Sequence, residues 1–334
     1  MRFVLPLLAA VLLSAPALAA DYFLTDYEEA SARSRATGKP IFLDAFTTWC
    51  KPCREMDARV FPDAAVEALL TTAFVPLRLD MEKGEGRRLA ERFGVSAYPT
   101  LLVFDADGEL HRATGFLTAE EVQAFAKTSR DDANNTRGLR RRYAAGDRSP
   151  DLLLRLEASA AEAQRPEREA YAYDYFLATG DWDSREAQER LLRAPQTTET
   201  PLFDSLVARQ STLRQSFSAP VVEERIYYLV DGALFPGEGL SAKPRDAKRL
   251  LGRVYGPAAD SAYHRFRMRR AREAGKAKAF GRWAVRSQRK YPTEDPDELE
   301  ELIYVFGERL PGWKTAVVEE WREREAALRA TRGY

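Results

Sequence analysis

Cysteine and histidine are nearly absent from this chain: two of each in 334 residues. Net charge is absent altogether, since Lys+Arg and Asp+Glu stand equal at 51 each. Each scarcity excludes something. A balanced charge gives no global field to draw nucleic acid or an anionic membrane, so neither is expected as a partner. A zinc site needs about four ligands. His111 and His264 lie far from the cysteines and from each other in sequence, so no metal site is expected, and nothing points to another cofactor. Beyond residue 20 no segment is long and apolar enough to cross a bilayer. What remains is a globular composition, 45% hydrophobic and 31% charged, with enough apolar material for a real core and enough length for two domains.

The first twenty residues are the exception. Arg2 gives a short positive start, Phe3 to Leu13 is apolar, and Ala17-Leu18-Ala19 is a small-x-small cleavage pattern. This predicts a signal peptide over residues 1–19. Pro6, Ser14 and Pro16 interrupt the apolar run, which argues against a permanent anchor. The mature chain is therefore expected to be exported, in the simplest case to a periplasm, with no membrane insertion after cleavage.

Export sharpens the meaning of the two cysteines, which sit together in Trp49-Cys50-Lys51-Pro52-Cys53. A bridge closing two intervening residues removes little chain entropy, so stapling explains it poorly. With metal binding also excluded, thiol–disulfide exchange is left.

The pattern around this motif predicts an α/β unit over residues 21–129. Asp26 caps a helix that Gly38 stops. "KPIFLDAF" reads as a covered central strand, and Cys50 opens a second helix. Asp63 caps another helix, "FVPLRLDM" is a strand, and "EGRRLAERFGV" is a helix ending at Gly94. "PTLLVFD", "DADG" and "ELHRAT" form a hairpin, and a capping box of Thr118 and Glu121 opens the last helix. The order α, β, α, α, β, α, β, β, α implies parallel crossovers, then an antiparallel hairpin: a mixed sheet covered by helices on both faces. Residues 130–138 are polar and aperiodic and read as a linker. Residues 139–334 read as all-α, with prolines punctuating helices of ordinary length. Faint repetition leaves two forms open, a tetratricopeptide-like array or an irregular bundle.

Residues 38–127, about a quarter of the chain, resemble the thioredoxin family. Within it they resemble the C-terminal thioredoxin-like domain of the DsbD-type thiol:disulfide interchange reductases. The resemblance is carried by Lys39-Pro40, by Asp44 six residues before Cys50, by the WCKPC motif, and by "VFPDAAVEALL", "FGVSAYPTLLVFDADGEL" and "TGFLTAEEV". It departs from those reductases in lacking their membrane-spanning segments, in having a helical region after the domain, and in the Lys51-Pro52 dipeptide. It therefore supports the chemistry and leaves the partner open.

Cys50 is expected at the exposed mouth of a helix, where free N–H groups favour a thiolate, with Cys53 sheltered on the same face to resolve a mixed disulfide. Trp49 is expected to shield the pair. Asp44 shares a strand face with Phe42 and Phe46, and a carboxylate there must be neutral or paired. It reads as a proton carrier for Cys53, the role the resemblance also implies, or as a capped or water-bridged strand aspartate. In the family the proline matching Pro99 is cis and faces the disulfide, which would leave the Tyr98-Pro99-Thr100 backbone to pair with an extended substrate. His111 is expected on the surface, and "HRFRMRRAR" around His264 as a solvated helix face, the alternative being a surface for an anion or a partner. "EKGEG" (82–86) lacks the spacing of a phosphate loop.

The leading function is an exported thiol–disulfide oxidoreductase that reduces disulfide-containing client proteins, recharged by a thiol electron donor, with the helical region positioning a client. The alternatives are a scaffold that uses both regions for binding, and an oxidase or isomerase running the same chemistry in another direction.

Overall fold

The computed structural model describes residues 21–237, 240–310 and 314–332, so the expected signal peptide lies outside the described residues. The chain divides into two compact units, one ending at Trp182 and the other starting at Asp183.

The first unit begins with α1 (Tyr27–Thr37), whose cap Asp26 accepts from the Glu29 N–H at 2.8 Å and whose end is turned by Gly38 at φ 68°. Then follow β1 (Ile41–Phe46), α2 (Lys51–Arg59), α3 (Ala64–Ala73), β2 (Val75–Asp80), α4 (Gly84–Phe93), β3 (Thr100–Asp105), β4 (Gly108–Thr114) and α5 (Ala119–Ser129). The capping box of Thr118 and Glu121 is formed. The sheet order is β2-β1-β3-β4. Only β1 and β2 are parallel; β3 runs antiparallel to β1, and β4 to β3. The expectation that helix-separated strands run parallel thus fails for β3. That rule concerns neighbouring strands, and β2 and β3 are separated by β1.

The central strand β1 is buried on both faces. Phe42 packs with Met56 of α2, Leu70 of α3 and Phe125 of α5. Ile41, Leu43 and Ala45 pack with Ala30 of α1 and Leu89 and Phe93 of α4. Gly86 belongs to this packing. A Cβ there would lie 2.1 Å from the Asp80 carbonyl oxygen, so the glycines of "EKGEG" serve the close approach of α4 to β2.

Residues 130–138 do not form a linker. Asn135 is fully buried; its Oδ1 accepts from the Gly138 N–H at 2.8 Å and its Nδ2 donates to the Ser129 carbonyl at 3.1 Å. It caps α6 (Thr136–Ala144), which is followed by α7 (Pro150–Glu162) and α8 (Glu167–Thr179). These helices are tied to the hairpin. Arg137 grips Asp105 through two hydrogen bonds of 2.8 and 2.6 Å, and Arg165 pairs with Glu109 at 2.5 Å. His111 Nδ1 lies 2.9 Å from Thr136 Oγ1, and its ring stacks on Phe125 at 5.2 Å. Far from lying on the surface, His111 is half-buried, and burial pushes its pKa down to about 4. The segment reads as polar because its polar groups cap a helix and bind an edge strand.

The second unit is helical: α9 (Arg185–Arg193), α10 (Pro201–Ala208), α11 (Gln210–Ser216), α12 (Ala219–Leu234), α13 (Pro244–Tyr255), α14 (Ala259–Glu273), α15 (Ala277–Lys290), α16 (Pro296–Arg309) and α17 (Thr315–Arg332). Prolines start several of them, where the missing N–H costs little. Lengths from seven to eighteen residues set no single repeat period. One core joins Phe280, Leu299, Phe306 and Trp321. The run around His264 is not solvated on every face: His264 and Phe266 are buried, with His264 against the Trp283 and Tyr291 rings.

Candidate functional site

The site lies where β1 hands over to α2. Cys50 is the N-cap of α2 and has extended backbone geometry (φ −67°, ψ 107°). Its Sγ accepts the Cys53 N–H at 3.1 Å, so sulfur takes the place of the usual capping oxygen. Pro52 falls in the first turn, where no N–H is needed. Cys50 and Cys53 are joined as a disulfide with S–S 2.03 Å. Both are only 2% exposed, so Cys50 does not sit open at the helix mouth as expected. In the bonded form its sulfur faces Cys53 and the amide it caps. The exposed neighbour is Trp49, at 62%. Its indole N–H donates to Glu82 at 3.0 Å, and its ring meets Tyr98 edge-on at 5.9 Å.

That contact joins the β1–α2 loop to the turn before β3. The Tyr98–Pro99 peptide is cis and Pro99 is buried. Thr100 is buried too, donating to the Ala97 carbonyl at 2.8 Å and lying 3.3 Å from Thr114 Oγ1. Thr100 stands opposite Ala45 in the β1–β3 register, one residue beyond the Asp44–Leu101 pair.

Asp44 is 1% exposed. Burial pushes its pKa from the ordinary 3.8 up to about 7, with the Arg78 guanidinium opposing and the Asp57 carboxylate adding to the rise. Asp44 and Arg78 are paired in the parallel register of β1 and β2, which puts both side chains on one face. Arg78 Nε lies 3.0 Å from Asp44 Oδ2, but neither atom makes a hydrogen bond of good geometry, so the contact is an ion pair alone. The other end of the guanidinium does hydrogen-bond, with Nη2 2.6 Å from Asp57 Oδ2 on α2. Its plane rests 4.1 Å over the Phe46 ring. A buried acid is thus linked through one arginine to a second acid nearer solvent, Asp57.

Sequence reasoning missed Arg78 and Asp57. Both carried a signal. Arg78 is a charge set between two leucines in an otherwise apolar stretch of strand, much as Asp44 is, and Asp57 lies four residues after Cys53 on the same helical face.

A cystine of the CxxC pattern across the first turn of a helix, after the central strand of a mixed sheet, marks a redox disulfide on a thioredoxin-like domain. Residues 27–130 match the family model described as a thioredoxin-like domain. Curated relatives sharpen this. Over 108 residues the chain is 33% identical to the thiol:disulfide interchange protein DsbD of Pseudoalteromonas atlantica, covering 31% of this chain and 18% of that protein. It is 39% identical to the DsbD of Haemophilus ducreyi over 93 residues, covering 26% of this chain and 16% of that protein. A solution structure of a thioredoxin from Thermus thermophilus is 27% identical, covering 31% of this chain and 82% of that one, with a TM-score of 0.29. The chain thus spans less than a fifth of the length of these curated relatives.

Proposed function

We propose that this protein is an exported thiol–disulfide oxidoreductase that reduces disulfides in client proteins. The observation that carries the reading is the Cys50–Cys53 cystine at the start of α2, in a domain whose central strand carries a buried acid, Asp44, with its pKa raised to about 7.

The cycle starts from the dithiol. The Cys50 thiolate attacks one sulfur of a client disulfide; the client's other sulfur leaves as a thiolate and takes up a proton. The Cys53 thiol then gives its proton to the Asp44 carboxylate and attacks Cys50 Sγ. This releases the second client sulfur, which is protonated in turn. Two electrons and two protons pass to the client, and the cystine of Cys50 and Cys53 remains. A thiol donor returns it to the dithiol. An acid with a pKa near the working pH suits Asp44 both to take and to return that proton. Trp49, Tyr98, Pro99 and Thr100 form the rim against which an extended client segment lies. The signal-like residues 1–19 support export, most simply to a periplasm. The helical unit holds the client.

Replacing the resolving residue tests this. Cys53→Ala mixed with a disulfide-containing protein is expected to accumulate a mixed disulfide visible by mass spectrometry, and the adduct vanishes when Cys50→Ser is added. No adduct on Cys53→Ala, or an equal one without Cys50, would remove Cys50 as the attacking group.

A further inference from the structure

The chain is neutral overall, yet its charge is unevenly placed. From Ala259 to Lys290, the α14–α15 hairpin carries eleven Lys and Arg against two acids, a net of +9. Part of this is neutralised: Arg269 pairs with Asp231 and Glu273, Arg272 with Glu301, and Lys290 with Asp260. Arg267, Arg270, Lys276 and Arg286 have no carboxylate within ion-pair reach among the described residues. Three of these four meet in one place. Arg267, Arg270 and Lys276 line a cleft of about 300 Å³ with Ser241, Trp283 and Glu273, the last already held by Arg269.

The cleft is built to hold its cations in place. The Arg267 guanidinium lies 4.5 Å over the Trp283 ring and donates to the Tyr263 hydroxyl at 3.0 Å. Arg286 lies 5.3 Å over the same ring. Arg270 Nε donates to Ser241 Oγ at 3.0 Å. Ring stacking and these single hydrogen bonds fix the stems and leave other guanidinium N–H groups unused. A guanidinium held this way presents a planar fork that matches a carboxylate, with less entropy to lose on binding.

We propose that the cleft between α14 and α15 docks an acidic polypeptide segment, with Arg267 and Arg270 gripping its carboxylates and Lys276 and Arg286 supplying the surrounding field. The occupant is a polypeptide and not a membrane, because the site is concave and its one tryptophan is half-buried beneath guanidiniums. A bilayer anchor would present that ring outward to the interface. Single-stranded nucleic acid would need an open ring face to stack a base, and Arg267 and Arg286 lie over the Trp283 ring. This inference rests on the reading that the helical unit holds the client, and it is independent of the exchange chemistry.

A binding measurement separates the two. The full chain is titrated into fluorescein-labelled deca-glutamate and, in parallel, deca-lysine, single-stranded oligothymidine, phosphatidylglycerol vesicles and inorganic phosphate. Fluorescence anisotropy or co-sedimentation is read at low and at raised salt. Deca-glutamate is expected to bind, more weakly as salt rises, and the others not. Arg267→Gln with Arg270→Gln should weaken binding at least tenfold. The exposed pair Lys276→Glu with Arg286→Glu, which leaves the Arg267–Trp283 stack and the Arg270–Ser241 hydrogen bond in place, should weaken it by a similar factor. Neither variant should change reduction of hydroxyethyl disulfide. No binding of deca-glutamate, binding by either variant as tight as that of wild type, or a preference for vesicles, oligothymidine or phosphate overturns the proposal. Loss of hydroxyethyl disulfide reduction with binding intact would instead count against the exchange reading.

Discussion

At the scale of single residues, the buried acid has the clearest consequence. Asp44 in the native state holds its proton up to about pH 7, whereas the unfolded chain releases it near 3.8. Between those values the native state binds more protons, so this residue makes stability fall as pH rises from about 4 to about 7 and adds no slope above. Three pH units correspond to roughly 4 kcal/mol. Asp44→Asn should therefore flatten that part of the profile and be more stable than wild type at pH 8, by about 2–4 kcal/mol in denaturant unfolding of the oxidised form. The same change should slow disulfide exchange about tenfold or more, since the proton of Cys53 loses the acceptor proposed for it. Arg78→Met removes the cation that opposes the rise, so the acidic limb of the pH–rate profile should move upward. It also leaves Asp57 without its partner, at a cost of roughly 3 kcal/mol. Asp44 itself is legible in sequence, because an acid between two phenylalanines on a strand demands an explanation. Its link to Arg78 is not. The two are 34 positions apart and meet only because β1 and β2 pair in that register.

At the scale of elements, the α/β order follows from local signals: Asp26, Asp63 and Thr118 as caps, Gly38 and Gly94 as stops, and apolar runs of strand length between them. Strand direction does not follow, because β3 owes its direction to which neighbour it joins. Helix α6 is a further case. Its starting signal, Asn135, lies inside a stretch whose aperiodic polarity reads as a linker, and only the burial of that asparagine reveals the cap. Gly138 follows from the same packing. A Cβ there would lie 1.7 Å from the Asp132 carbonyl oxygen, a clash with backbone that no rotamer relieves. Gly138→Ala should destabilise the first unit by about 2–4 kcal/mol, read as a lower midpoint in thermal or denaturant unfolding. The same substitution at Gly232, where a Cβ meets nothing within 4 Å, should be neutral or slightly stabilising.

At the scale of the whole molecule, the boundary that matters falls after Trp182, not after the last helix of the α/β domain. Arg137, Arg165 and Thr136 bind the β3–β4 hairpin through side-chain contacts from residues well beyond position 129. Chain-level patterning misses this, because charged helices that clasp an edge strand have the same composition as charged helices facing water. A fragment of residues 21–182 should fold cooperatively and keep small-disulfide reductase activity. A fragment ending at 129 strips Arg137 from Asp105, Arg165 from Glu109 and Thr136 from His111, and should unfold at lower denaturant or fail to accumulate. The central claim is that the Cys50–Cys53 pair exchanges disulfides with other proteins. Dithiothreitol-driven reduction of insulin, followed by turbidity for wild type and Cys50→Ser side by side, tests it most directly. Wild type should accelerate the onset severalfold or more while Cys50→Ser stays at the uncatalysed rate; equal rates for the two would contradict the account.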